Sequence, residues 1–178
     1  KNRVVGSGTT LDTSRFRYML GDILDIAPNS VRGYILGEHG DTQFAAWSNV
    51  YVYGKPFQKF LASSKKFKAE DFKDVETRVM RAAYEIINRK RATYYAIGIS
   101  LFTIVKAILR DENTELAVSA YCEGQYGVND LYIGVPAIIG REGIREIVEM
   151  ELSDEELAKM KNSATTLKNT LEEAYKTL

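Results

Sequence analysis

ELAVSAYCEGQYGVNDLYIGVPAIIGREGIREIVEMEL, residues 115–152, decides the fold class. Glu115–Tyr121, Leu131–Ile139 and Ile144–Leu152 are apolar runs separated by glycine-containing turns, the pattern of strands joined as hairpins. In the last run Val148, Met150 and Leu152 alternate with Glu149 and Glu151, so the sheet is expected to keep one wet face. Ser153-Asp154-Glu155-Glu156 follows as a capping box, with Ser153 accepting from the helix and Glu156 reaching back. Leu157, Met160, Ala164, Leu167, Leu171 and Leu178 then form the apolar stripe of one long helix.

Upstream, Phe16, Met19, Leu20, Ile23 and Leu24 recur at helical spacing and predict a helix from about Leu11 to Ile26, ended by Pro28-Asn29. Val31–Leu36 reads as a strand leading into the turn Gly37-Glu38-His39-Gly40, and Gln43–Tyr53 as two short strands ending at Gly54. Lys68–Lys90 reads as an amphipathic helix with Val75, Val79, Ala82 and Ile86 on one face. Ala92–Leu109 imitates a membrane span, but Gly98, Ser100, Thr103 and Lys106 interrupt it, so Thr93–Arg110 is expected to be a helix buried in a core or a subunit interface. Helices and hairpins are segregated rather than strictly alternating, so the class is α+β.

Composition narrows the function. With 178 residues and 45% hydrophobic content, a single domain with its own core is expected. Lys+Arg and Asp+Glu both number 24, so no net charge draws the chain to nucleic acid or to anionic lipid. One cysteine cannot form an internal disulfide, which fits a cytoplasmic site, and one histidine excludes a multi-histidine metal centre. The first residue is Lys1, so the chain is expected to start inside a longer protein.

Gly6-Ser7-Gly8-Thr9-Thr10 lacks the third glycine and the preceding βα unit of a dinucleotide fingerprint and is rejected as a pyrophosphate cradle. Two other stretches carry chemistry. Asp12 and Arg15 lie three residues apart at the start of the first helix, where an ordinary ion pair is the simplest explanation. His39 lies in a turn with glycines close on both sides, which let backbone or ligand approach it. Together they suit proton transfer at a hydroxyl beside a carboxylate. The carboxylate fixes the imidazole tautomer, and the arginine offers a planar fork for the substrate.

The segments Gly6–Arg17, Gly37–Asp41, Ala92–Gly98, Asp130–Ile144 and Leu152–Lys168 together resemble the C-terminal, substrate-binding domain of bacterial L-lactate dehydrogenases, over essentially the whole chain. The resemblance implies that His39 is the proton donor and acceptor for pyruvate and L-lactate, Asp12 its partner, and Arg15 the fork for the substrate carboxylate. It places Thr93 in the substrate pocket, Ile97 against the nicotinamide of NAD, and Ser7 near the nicotinamide amide. It implies a homodimer or homotetramer. It also implies that NAD is held mainly by an N-terminal Rossmann domain outside residues 1–178, so the chain alone is expected to be inactive. A malate dehydrogenase domain, or a non-catalytic oligomerisation module, are the alternatives.

Two departures stand out. Lactate dehydrogenases usually have Pro-Val-Trp-Ser where this chain has Ala45-Ala46-Trp47-Ser48. Arg17 matches an arginine that binds fructose-1,6-bisphosphate in many relatives, but Arg32 stands where a histidine is common. Two arginines can still hold a phosphate.

Overall fold

The computed structural model describes residues 1–177. In chain order the elements are α1 (Thr10–Leu24), β1 (Val31–Arg32), β2 (Ile35–Leu36), β3 (Phe44–Ala45), β4 (Tyr51–Val52), β5 (Lys55–Pro56), α2 (Phe57–Ser63), α3 (Val75–Lys90), α4 (Tyr95–Leu109), β6 (Thr114–Glu123), β7 (Asn129–Gly140), β8 (Gly143–Ile147) and α5 (Asp154–Lys176). The fold is α+β. β6-β7-β8 form an antiparallel sheet, β1-β4-β5 a second, and β2-β3 a separate two-stranded ribbon. The capping box at α5 forms as read, with the Ser153 N–H donating to the Glu156 carboxylate at 2.9 Å. Leu178, assigned above to its stripe, lies outside the described residues.

Two apolar cores result, and the β2-β3 ribbon divides them. Adjacent residues of a strand point to opposite faces. Leu36 and Phe44 therefore join the core under the large sheet, with Val118, Val135 and Met160. Their neighbours Ile35 and Ala45 join the other core, with Phe16, Leu20, Val75 and Val79. The turn after β2 thus leaves a wall anchored on both sides.

Several sequence expectations are corrected. Val31–Leu36 is two strands, because the chain changes partner at Gly33: Val31–Arg32 pair with β4, Ile35–Leu36 pair with β3, and the Gly33 carbonyl between them accepts from Arg17. Ile144–Leu152 keeps its ladder only to Ile147. Beyond it, the Val148 N–H makes one last bond to the Pro136 carbonyl at 2.8 Å, after which the Tyr126 hydroxyl accepts from the Met150 N–H at 2.9 Å and donates to the Val148 carbonyl at 3.2 Å. Met150 and Leu152 still pack on the core, which is what produced the alternation. The wet face is also absent from the central strand, where Ile133, Gly134, Val135, Pro136 and Ala137 are all buried. The helix expected over Lys68–Lys90 begins at Val75, after a 3-10 turn at Ala69–Phe72, and the seven-residue α2 went unread.

α4 is covered on one side only. Within this chain only Ser100, Ile104 and Ala107 of it are buried, while Ile99, Phe102 and Leu109 are 68%, 66% and 73% exposed. Among the described residues no helix is long and apolar enough to cross a membrane.

Glycines separate packing from propensity. A Cβ on Gly134 of β7 would sit 2.5 Å from the Gly37 carbonyl oxygen, whereas a Cβ on Gly98 of α4 would meet nothing within 4 Å. In this chain Gly134→Ala is expected to cost about 2–4 kcal/mol through overpacking and loss of a backbone bridge. Gly98→Ala is expected to add about 0.5–1 kcal/mol, because alanine loses less backbone entropy in a helix. Urea denaturation followed by circular dichroism should show midpoints moving in opposite directions.

Candidate active site

The site is built from the N-terminus of α1 and the turn after β2. Gly8, at φ 49°, lies so close to β6 that a Cβ would come 2.3 Å from the Ser119 nitrogen. Thr10 then donates to the Ala117 carbonyl at 2.6 Å. These contacts fasten the start of α1 to the large sheet, and they explain the glycine-rich start without a phosphate. Asp12 is placed in the first helical turn, where the helix dipole favours an acid, and its side chain is 2% exposed.

The turn is fixed separately. The Gly37 and Gly134 backbones exchange hydrogen bonds, each at 2.9 Å. The Glu38 N–H donates at 2.6 Å to Ser163 Oγ, from a fully buried serine on α5. Thr42 donates to the Glu38 carboxylate and lies 3.0 Å from the same serine oxygen. His39 stands next on this turn.

A buried carboxylate is costly unless its oxygens are partnered. Here Asp12 Oδ2 lies 2.6 Å from His39 Nδ1, and Oδ1 accepts from the Arg15 guanidinium at 3.2 Å. The sequence reading of Asp12 and Arg15 as an i,i+3 ion pair is therefore correct as geometry, and His39 joins the same carboxylate. An ionised carboxylate can only accept, so Nδ1 carries the proton and Nε2 is the nitrogen free for exchange. The hydrogen bond to Asp12 raises the His39 pKa above the ordinary 6.5, against the lowering effects of burial and of the Arg15 charge. Gln43 adds a smaller push upward.

These groups open on a cleft of about 240 Å³ whose opposite wall is α3, through Met80, Ala83, Tyr84 and Ile87. The sequence reading missed this wall. It places Val75, Val79, Ala82 and Ile86 on the apolar face of that helix, and Val75 and Val79 do enter the core. The cleft uses the next stripe along, whose spacing of three, one and three residues was the available signal.

The remaining sequence candidates do not line this cleft. Thr93 is exposed in the loop between α3 and α4, Ile97 is half-buried in the first turn of α4, and Ser7 is half-buried before α1. Arg17 donates through Nε to the Gly33 carbonyl at 2.9 Å and lies over the Tyr34 ring. It lines a second cavity, of about 310 Å³, between α1, α4 and β6. Arg32 is exposed and stands 4.0 Å from the carboxylate of Glu115, which lines that same cavity. Among the described residues no cluster of three His, Cys, Asp or Glu side chains could hold a metal ion.

Fold and site together define an α+β domain that presents a histidine–carboxylate pair and an arginine to a small cleft. Residues 9–178 match the family described as lactate/malate dehydrogenase, alpha/beta C-terminal domain, and the chain belongs to that family. L-lactate dehydrogenase 2 of Bacillus anthracis is 55% identical over 171 residues, covering 96% of this chain and 54% of that protein. The minor L-lactate dehydrogenase of Enterococcus mundtii, in its ligand-bound form, superposes with a TM-score of 0.93 at 47% identity, covering 96% of this chain and 55% of that one. Malate dehydrogenase of Cryptosporidium parvum superposes with a TM-score of 0.92 at 31% identity, covering 99% and 56%. The chain spans about half the length of the curated relatives it matches.

Because His39 is the single histidine, its titration can be followed without assignment. Its midpoint is expected above 6.5, and Asp12→Asn should bring it to 6.5 or lower, since Arg15 then acts unopposed. A raised native pKa stabilises the fold fully below 6.5 and loses that contribution as pH rises through the native midpoint. Thermal unfolding followed from about pH 5.5 to 8.5 should show this decline in the wild type and not in His39→Ala.

Proposed function

We propose that this chain is the substrate-binding, acid–base half of an NAD-dependent L-lactate dehydrogenase, interconverting pyruvate and L-lactate. The observation that carries the reading is the buried Asp12 carboxylate shared between His39 and Arg15 at the mouth of a small cleft. In lactate oxidation Nε2 of neutral His39 takes the hydroxyl proton, and Asp12 steadies the imidazolium that forms. In the reverse direction the imidazolium returns that proton to the carbonyl oxygen of pyruvate. The guanidinium donors of Arg15 not engaged by Asp12 hold the substrate carboxylate, and Thr93 completes the pocket.

Bound NAD supplies the hydride acceptor. Ile97, a half-buried aliphatic side chain, and Ser7, with its hydroxyl, fit the apolar ring and the amide of a nicotinamide. The glycines beside Ser7 are taken up by packing on Ser119, so this chain offers no pyrophosphate cradle. The Rossmann domain of the same protein would bind most of NAD, and the chain by itself would not turn over. Exposed apolar residues of α4, including Ile99 and Phe102, support a homodimer or homotetramer. Arg17 and Arg32 would hold fructose-1,6-bisphosphate at such an interface, where Arg32 would have to exchange its contact with Glu115 for the phosphate. A malate dehydrogenase is the second reading, favoured by the close superposition on the Cryptosporidium parvum enzyme.

Kinetics on the complete protein test the proposal. His39→Ala should lower kcat by about 10²–10⁴-fold, the usual contribution of a positioned acid–base group. Arg15→Lys should mainly raise the pyruvate KM, because lysine lacks the two-donor fork. A His39→Ala enzyme within about threefold of wild type would refute the role given to His39. Higher activity on oxaloacetate than on pyruvate would select the malate reading. Loss of any fructose-1,6-bisphosphate response in both Arg17→Gln and Arg32→Gln would support the effector site.

A further inference from the structure

We infer that Glu76 is a positioning residue that sets the width of the His39 cleft by clasping α3 to the segment following the catalytic turn. Glu76 Oε1 accepts from the Ala45 backbone N–H at 3.1 Å and from the Trp47 indole N–H at 2.8 Å. Ala45 is fully buried, so its N–H has no water to turn to if the carboxylate withdraws. Trp47 is held in turn, edge-on to Phe16 at 5.2 Å and tilted against Phe57 at 5.1 Å. The acceptor thus grips two donors on a rigid segment that begins only a few residues beyond His39. Hydrogen bonds to an ionised acceptor are the stronger kind.

The helix carries that grip to the cleft. Glu76 lies in the first turn of α3, and Met80, Ala83 and Ile87 follow it at four, seven and eleven residues, which places all four on one helical face. The last three form the cleft wall facing His39. Fixing the head of this stripe fixes how closely the wall approaches the imidazole. Any side chain that merely filled the space would leave the Ala45 and Trp47 donors unpaired. Here the alanine at position 45 matters, since a proline there would have no N–H to give.

The inference rests on the reading of His39 as the acid–base group, but its test is spectroscopic and independent of turnover. Trp47 is the single tryptophan and His39 the single histidine, so one amide–imidazole NMR series on this chain reports both ends. The groups facing His39 are Asp12 and Arg15 from α1, Asp41 and Gln43 from the segment after β2 and Tyr84 from α3, and none is altered in the variants. Glu76→Asp keeps the charge but withdraws the acceptor. It should speed exchange of the Trp47 indole proton by about tenfold or more. It should also move the His39 midpoint up by ~0.3 pH unit or more, because an opened wall relieves the burial that lowers it. Glu76→Gln keeps an acceptor oxygen and should hold the indole proton close to wild type. Removal of a negative charge alone would move His39 down, so the sign separates an opened cleft from simple electrostatics. The inference is overturned if Glu76→Asp leaves the His39 midpoint unchanged or lowers it, whatever the indole does, or if His39 moves without the indole. Failure of these signals leaves the lactate reading intact, and failure of the lactate kinetics leaves the clasp intact.

Discussion

Asp12 is a carboxylate taken almost wholly out of water, and the arrangement around it follows from that cost. An isolated buried charge would be strongly unfavourable, so each oxygen must find a donor. Arg15 comes from the same helix, one turn on, and is supplied by local geometry. His39 must come from elsewhere, and bringing it to 2.6 Å requires α1 and the β2-β3 ribbon to be fixed relative to each other. The same hydrogen bond determines which imidazole nitrogen holds the proton and raises the His39 pKa above its ordinary value. Under the proposed function, structural need and chemical use would be one interaction.

The scaffold meets that requirement by mounting the turn on a wall between two cores. Ile35 and Leu36 commit opposite faces of β2, so the ribbon cannot slip by one residue without burying the wrong set. Gly134 of the large sheet, Ser163 of α5 and Glu76 of α3 then bind the backbone before, within and after the turn. Three elements distant in sequence therefore hold one short stretch of chain. Such an arrangement suits a proton-transfer group, whose efficiency depends on small errors in distance.

α4 shows the opposite economy. Its apolar residues are too many for one face, and this chain covers only Ser100, Ile104 and Ala107. The helix packs on the large sheet with one side and leaves Ile99, Phe102, Val105 and Leu109 open. An exposed apolar surface of that kind marks an interaction site in a folded protein. The all-round apolar pattern reads as a helix buried in a core or a subunit interface, and this chain supplies cover for only one side of it.

Local features were legible in the linear chain: the capping box and stripe of α5, the hairpins of the large sheet, the placement of Asp12 and Arg15 on one helical turn, and the glycine-flanked turn at His39. Each depends on periodicity or on residues within a few positions of one another, which a linear reading can follow. The family resemblance further joined His39 to Asp12 across 27 positions. Tertiary structure decided the rest. Tyr126 takes the Val148 carbonyl and the Met150 N–H in place of a longer ladder; one apparent strand divides at Gly33 between two partners; and α3 turns a stripe with Met80 and Tyr84 toward the histidine while Val79 goes to the core. These outcomes depend on long-range packing and on hydrogen-bond partners far apart in the chain. Which of two neighbouring stripes on a helix meets a core and which meets a cleft is set by what lies opposite, and that is known only once the chain has folded.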